Sequence, residues 1–401
     1  MPNVSVLGGA GETVTLPFPP GQDALLAQSL ADQITEAVKS GNLTAVEYTG
    51  QFSLPQAPGG GDEEVVIKAI GPLVLPKTAT AVVDATQSSY VLGGGAANEK
   101  ILAGAGNLTF FTDGGSGAIV TGNGNDLIVQ TGTGPWNINT GDGNDEIVIS
   151  GGTNTISGGD GHNTILLEGG DNIVNSSGHD VIVANAGADT IFASGGNPVY
   201  VGGLKADLTF IGGKGSATVA GGSGSETVFA SAGGYFVGGT AGHNMIMGGD
   251  GPTTIVGGGS GDTLYATGSS KTLIYAGSGN ETLNGSLSSG NNYLQAGSGN
   301  DLLVGGLGND TLVAGSGAST LQGGTGRDVF EFINGQGGHS LVVDFSSIAG
   351  DKVALSDYGS NEISYALQHA QPTATGTVVT LSDDTKITFA GLSGLTKADF
   401  T

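Results

Sequence analysis

Residues 296–331 read AGSGNDLLV, GGLGNDTLV, AGSGASTLQ and GGTGRDVFE, four consecutive blocks of nine. Each block opens on small residues, three of the four carry Asp in the sixth place, and the eighth holds one large apolar residue: Leu303, Leu312, Leu321 and Phe330. Nine is not a whole number of 3.6-residue turns, so a helix cannot keep this series on one face. A short strand followed by a tight turn can, with the eighth position facing inward. The rhythm extends upstream through Ile128, Ile138, Ile147, Ile156, Ile165, Ile173, Ile182 and Ile191, spaced 10, 9, 9, 9, 8, 9 and 9 apart. Two strands per coil of about 18 residues result, stacking β-branched side chains on both inner faces. From residue 90 to 332 there is room for roughly 13 coils, a rod on the order of 60–65 Å long at the usual strand spacing. The expected class is all-β, a parallel solenoid.

Glycine accounts for 78 of 401 residues, far above the average of about 7%. It suits turns that need positive φ and close approach of stacked backbones. The blocks follow the pattern GGxGxDxUx, with U the inward apolar residue. They resemble the repeats-in-toxin (RTX), or hemolysin-type calcium-binding, family. That resemblance implies a β-roll in which Ca2+ lies between two turns stacked one coil apart. Aspartates of both turns and carbonyls of the glycine-rich loops would supply the six to eight oxygens calcium prefers.

The mark of such a site is a pair of sixth-position carboxylates about one coil apart. Asp310 and Asp328 are separated by 18 residues, Asp126 and Asp145 by 19, and Asp171 and Asp189 by 18. Asn163 and Asp180 form a less charged pair, Asp301 faces Ser319, and Asp262 and Glu281 stand 19 apart. For the Asp310/Asp328 pair the resemblance adds the carbonyls of Gly306, Gly308, Gly324 and Gly326. Without a cation, carboxylates stacked at strand spacing would repel one another. Residues 193–255 keep the glycines but put Pro198, Ser216, Glu226 and Asn244 near the metal-binding places. That middle stretch is expected to close by hydrogen bonds alone.

The ends differ from the middle. Residues 1–85 are expected to form a small α/β cap or assembly segment, and residues 86–332 the calcium-binding roll. Residues 333–401 then form a C-terminal β cap. In the first segment Leu26, Leu30, Ile34 and Val38 recur every fourth residue, which predicts a helix over 23–40 with Asp23 as N-cap and Gly41 as its stop. Strands are expected near 43–52 and 64–70, with PQAPGGGD at 55–62 as a loop. The stretches 338–355 and 376–392 resemble the segment C-terminal to the repeats in many RTX proteins, where an uncleaved type I secretion signal is carried.

With 36 acidic against 11 basic side chains the net charge is −25. That balance argues against nucleic acid, whose phosphates need Lys and Arg, and for bound cations or strong solvation. No cysteine is present, and no apolar run is long enough to span a bilayer. The N-terminal sequence has no basic segment followed by an apolar one, so export without a cleaved leader is expected. His162, His179, His243 and His339 sit in turns without an HExxH motif, and no GxSxG occurs. The expectation is a non-enzymatic, secreted, calcium-binding structural protein that self-assembles into a surface layer, filament or matrix. The alternative is a calcium-dependent adhesin that binds cell-surface glycans through Tyr235, Tyr265, Tyr275 and Tyr293, with ice binding ranked below both.

Overall fold

Alternating apolar and polar positions, punctuated every few residues by glycine, leave this chain one economical way to bury its apolar side chains. Short strands stack in parallel register on two faces and turn sharply between them. The computed structural model describes residues 2–8, 11–50, 54, 61–93, 95–240 and 243–401. Two compact units are present, Met1–Ala206 and Asp207–Thr401.

In the first unit one parallel ladder runs through Thr44–Tyr48, Glu63–Ile67, Ala79–Asp84, Glu99–Ala103, Gly117–Val120, Trp136–Asn139, Thr155–Ser157 and Ile173–Ser176. A second runs through Pro72–Val74, Ser88–Leu92, Asn107–Thr112, Leu127–Gln130, Glu146–Ile149 and Thr164–Leu167. The long strand Val181–Ala193 joins both, its first residues pairing with 164–167 and its last with 173–176. Parallel pairing thus starts at Thr44, well before the glycine-rich repeat. Ile101, Ile119, Ile138, Ile156 and Ile191 are buried in the first row, and Phe110, Ile128, Ile147, Ile165 and Ile182 in the second. One assignment fails: Ile173 is 40% exposed and Val174 points inward. The turn at 176–180, SSGHD, leaves the inward residues Val174 and Ile182 eight apart and not nine, so the count slips there.

The N-terminal segment covers the outer side of the first ladder. Strands Asn3–Leu7 and Thr13–Pro17 form an antiparallel hairpin, followed by the helix Gln22–Lys39. Val4, Val6, Leu16, Leu30 and Ile34 pack against Val66, Ala81, Val83 and Leu102, so these strands are buried on both sides. The helix lies within one residue of its expected span. Gly21, at φ 119°, takes the N-cap instead of Asp23, and Leu26 is 42% exposed. The expected loop lies largely outside the described residues, at 55–60.

The second unit repeats the plan. Glu226–Phe229, Met245–Met247, Thr263–Gly268, Thr282–Ser288, Leu302–Leu307 and Thr320–Thr325 form one ladder. Ala217–Ala220, Gly234–Val237, Thr253–Val256, Thr272–Tyr275, Tyr293–Gln295, Thr311–Val313 and Val329–Ile333 form the other. His339–Val342 and Lys352–Ser356 extend the two ladders past the last nine-residue block. The antiparallel hairpin Gly376–Thr380/Lys386–Ala390 then pairs its second strand with His339–Val342, so the terminal rung does not present a bare edge. Among the described residues no helix is long and apolar enough to cross a membrane.

Candidate metal-binding turns

Each turn brings two consecutive side chains to the rim of the coil, and the two are used in opposite directions. The sixth-position side chain turns inward and accepts the backbone N–H of the equivalent residue one coil earlier. Asp145 Oδ1 accepts from Asp126 N at 2.8 Å, Asn163 Oδ1 from Asp145 N at 2.9 Å, and Asp180 Oδ1 from Asn163 N at 3.2 Å. The fifth-position side chain stays outside and accepts from the next coil. Asn125 Oδ1 takes Asn144 N at 2.9 Å, and Asn144 Oδ1 takes His162 N at 2.9 Å. Asp207 belongs to this outer series, bonding Ser225 N at 2.8 Å and not its own backbone. A GND triplet therefore stitches three coils together, because strand ladders alone leave turn amides without partners.

The inner row at the end of the second unit carries three aspartates in succession. Asn292 N donates to Asp310 Oδ1 at 2.7 Å, Asp310 N to Asp328 Oδ1 at 2.9 Å, and Asp328 N to Asp351 Oδ1 at 3.0 Å. Every member is buried. Asp344 adds a carboxylate that accepts from Gly323 N and Gly324 N, both at 2.9 Å. The glycines cannot be replaced here. Gly308 and Gly326 sit at φ 132° and 139°, and a Cβ on Gly326 would overlap the carbonyl oxygen of Gly308. Turn carbonyls are thereby stacked beside the acidic row.

Three sixth-position aspartates keep one buried oxygen with no protein partner: Asp145 Oδ2, Asp189 Oδ2 and Asp310 Oδ2. Glu281 has none for either oxygen. A buried, unpartnered carboxylate oxygen is costly, and a hard cation is the partner that suits it. Burial pushes Asp145 and Asp310 up to about 7, and Asp189 and Asp328 to about 6, with Asp351 and Asp344 adding to the rise at Asp328. Burial, reinforced by Asp301, lifts Glu281 to about 8. Among the described residues no three Asp, Glu, His or Cys side chains form a cage for a metal. A bound ion would draw most of its shell from backbone carbonyls. The residues fit calcium on these grounds, with Asp310, Asp328 and the stacked turn of Gly306, Gly308, Gly324 and Gly326 as the best-formed place.

Four other expected ligands accept protein hydrogen bonds on both carboxylate oxygens. Asp126 receives Leu108 N at 2.7 Å and Thr121 Oγ1 at 2.5 Å; Asp180 receives Asn163 Nδ2 at 2.8 Å and Ser176 Oγ at 2.6 Å. Asp262 and Asp301 close on the amides of Gly258 and Gly297, both at 2.9 Å. Asp171, expected to stack on Asp189, is instead an exposed fifth-position residue whose Oδ1 accepts Ala188 N at 3.0 Å. The residue stacked on Asp189 is Asn172, whose Nδ2 donates to it at 2.9 Å.

In the second unit Glu226 occupies the space between two stacked turns. Its carboxylate accepts from Gly239 N at 2.5 Å and Gly222 N at 3.2 Å, and Asn244 donates to Gly239 O and Asp262 Oδ1, both at 2.9 Å. These side chains close the turns with protein hydrogen bonds. Trp136 does something similar with an apolar group, standing in the sixth position, buried and packed edge-on to Phe110 at 6.0 Å.

Counting by nines missed Asn154, Asn172, Asn292 and Asp351, all members of the inner rows. Their signal is local: a carboxylate or amide two residues before an inward apolar residue, as in Asp351-Lys352-Val353. Glu99, before Ile101, has the same placement. It is buried, its Oε1 accepts Ala96 N at 3.1 Å, and burial pushes it up to about 7.

The family model of the RTX calcium-binding nonapeptide repeat matches residues 148–178, 175–207, 238–269, 286–321 and 313–338. The gap at 208–237 contains Glu226. No curated protein matches the chain.

Proposed function

From the premise that RTX calcium-binding nonapeptide repeats recur in the matched stretches between residues 148 and 338, we propose that this protein is a secreted, non-enzymatic scaffold that calcium stabilises and that self-associates through its flat sheet faces. Repeats of this kind are typical of type I secreted, extracellular proteins. The observation that carries the reading is a row of outward side chains on the second ladder of the first unit. Phe111, Val129, Val148, Leu166 and Val183 stand in direct register on successive coils, each half-buried by its neighbours. Solenoid faces with no partner are ordinarily polar, whereas contiguous apolar strips mark association surfaces. Acidic turns on either side favour association only where cations neutralise them.

Calcium gives the reading a direction. In low calcium the buried carboxylates oppose stacking, and in high calcium mass action draws the chain into its coiled form. Electron microscopy and sedimentation with millimolar calcium are expected to show ordered assemblies that chelator disperses. Leu166→Lys, which places a charge in the middle of the strip, is expected to abolish assembly while leaving the far-ultraviolet circular dichroism intact. Monomers at every concentration in calcium would overturn the proposal.

A further inference from the structure

A groove of about 590 Å3 lies in the first unit between the start of the N-terminal helix and the outward face of the first ladder. Its floor is built by register. Asn139, Ser157, Asn175 and Phe192 occupy one outward row on successive strands, and Asn137 and Thr155 begin the neighbouring row. Successive members of a row stand about 4.8 Å apart. The opposite wall comes from Pro20, Gln22, Asp23 and Leu26. Asn139 Nδ2 donates to Asp23 Oδ1 at 3.0 Å, which ties the helix to the floor and fixes the width of that end.

The lining selects a chemistry. Amide and hydroxyl side chains in rows both donate and accept, as neighbouring hydroxyls of a sugar require. Phe192, 40% exposed at the far end of the row, offers an apolar ring to the C–H face of a pyranose. No lysine or arginine lines the groove, while Asp23, Asp142 and Asp160 do. Burial, then Asp160 and Asp23, raises the Asp142 carboxyl above the usual range, so negative charge is already crowded there. An acidic ligand would add to that crowding, and a ligand bearing hydroxyl or amino groups would relieve it.

We propose that this groove binds an oligosaccharide whose units are uncharged or carry amino groups. Sheet-edge capture of a peptide does not suit it, because the strands of the floor are paired with one another in the ladder and offer the groove a face, not an edge. The site is separate from the apolar strip, which lies on the other ladder, and it does not rest on the self-association reading.

The test uses the full chain in calcium and isothermal titration with three probes: chitin hexamer, chitosan hexamer and oligogalacturonate of similar length. Binding of at least one of the first two is expected, with oligogalacturonate at least tenfold weaker. Phe192→Ala and, separately, Asn175→Ala are each expected to weaken that binding tenfold or more with circular dichroism and calcium-dependent assembly unchanged. No binding of either favoured probe, equal binding of oligogalacturonate, or full affinity in both variants would each overturn the proposal. Loss of assembly in Leu166→Lys with sugar binding retained would separate this site from the scaffold role.

Discussion

An aspartate in a stacked turn has two oxygens, and what becomes of the second decides its role. The first is spent in nearly every case on the amide one coil earlier. At Asp180 the second meets Ser176, and at Asp126 it meets Thr121. At Asp310 it meets nothing, in a buried place beside Asp328 and a stack of glycine carbonyls. Residues of one type at one place in a repeat thus fall into two sets, those whose second oxygen already meets a hydroxyl or a turn amide and those whose second oxygen has no protein partner. Asp310→Asn keeps the acceptor for Asn292 N but removes the ionisable oxygen. It is expected to lower the number of calcium ions bound by one, read by titration calorimetry, and to weaken calcium-dependent folding. Asp180→Asn replaces a carboxylate whose two oxygens both already accept protein hydrogen bonds, so the calcium count is expected to stay unchanged. Equal loss of calcium in the two variants would refute this division.

At the scale of the element, the N-terminal hairpin and helix convert an open sheet face into a buried one, and one side chain is out of keeping with that interior. Glu64 lies in a strand covered on both sides, with no protein partner for either oxygen, and burial pushes it up to about 8. The folded state therefore holds a proton that an unfolded Glu, with a pKa near 4.3, gives up. Stability from this group is complete below the unfolded value, erodes as pH rises, and is lost once pH passes about 8. Glu64→Gln is expected to flatten that slope and to stabilise the first unit at pH 8.5 by about 2–4 kcal/mol relative to wild type, with little change at pH 4.5. Denaturant melts at the two pH values measure it; parallel slopes for both proteins would refute it. The sequence reveals this element only in part. The helix is legible because Leu30 and Ile34 repeat at helical spacing, and the solenoid because strand and turn recur every nine residues. Glu64 is not, since a charged pair before Val65 reads as the solvent side of a strand until the covering segment is placed. Asp171 and Ile173 show the opposite failure: a one-residue-short turn leaves the local pattern intact and shifts the count, which only the pairing of Val174 with Ile156 reveals. The inner rows are legible as an Asp-x-apolar pattern, while their bonding to the preceding coil is not, because it depends on the stacking offset of turns.

Across the whole molecule the same physics sets how folding responds to its medium. The net charge of −25 and a series of buried carboxylates raised to about 6–8 make the calcium-free chain a proton acceptor as it folds. For each such group the folded state binds more protons than the unfolded one between the ordinary carboxylate range and its raised value. Calcium-free stability is therefore greatest at mildly acid pH and falls towards pH 8. Calcium held by those oxygens would require them ionised, so its binding would release protons and strengthen as pH rises through the same window. The two effects have opposite sign, which places the largest calcium-induced gain in stability near pH 8. Thermal melts at pH 5 and pH 8, each with chelator and with millimolar calcium, are expected to show the calcium-induced rise in Tm several-fold larger at pH 8. Calorimetry at pH 6.5 in buffers of different ionisation enthalpy should report net proton release on calcium binding. An equal rise in Tm at both pH values, or heats independent of buffer, would mean that the carboxylates with unpartnered oxygens are not the groups calcium meets. Calcium would then act on the exposed acidic turns by screening, and its effect would be reproduced by monovalent salt at equal ionic strength.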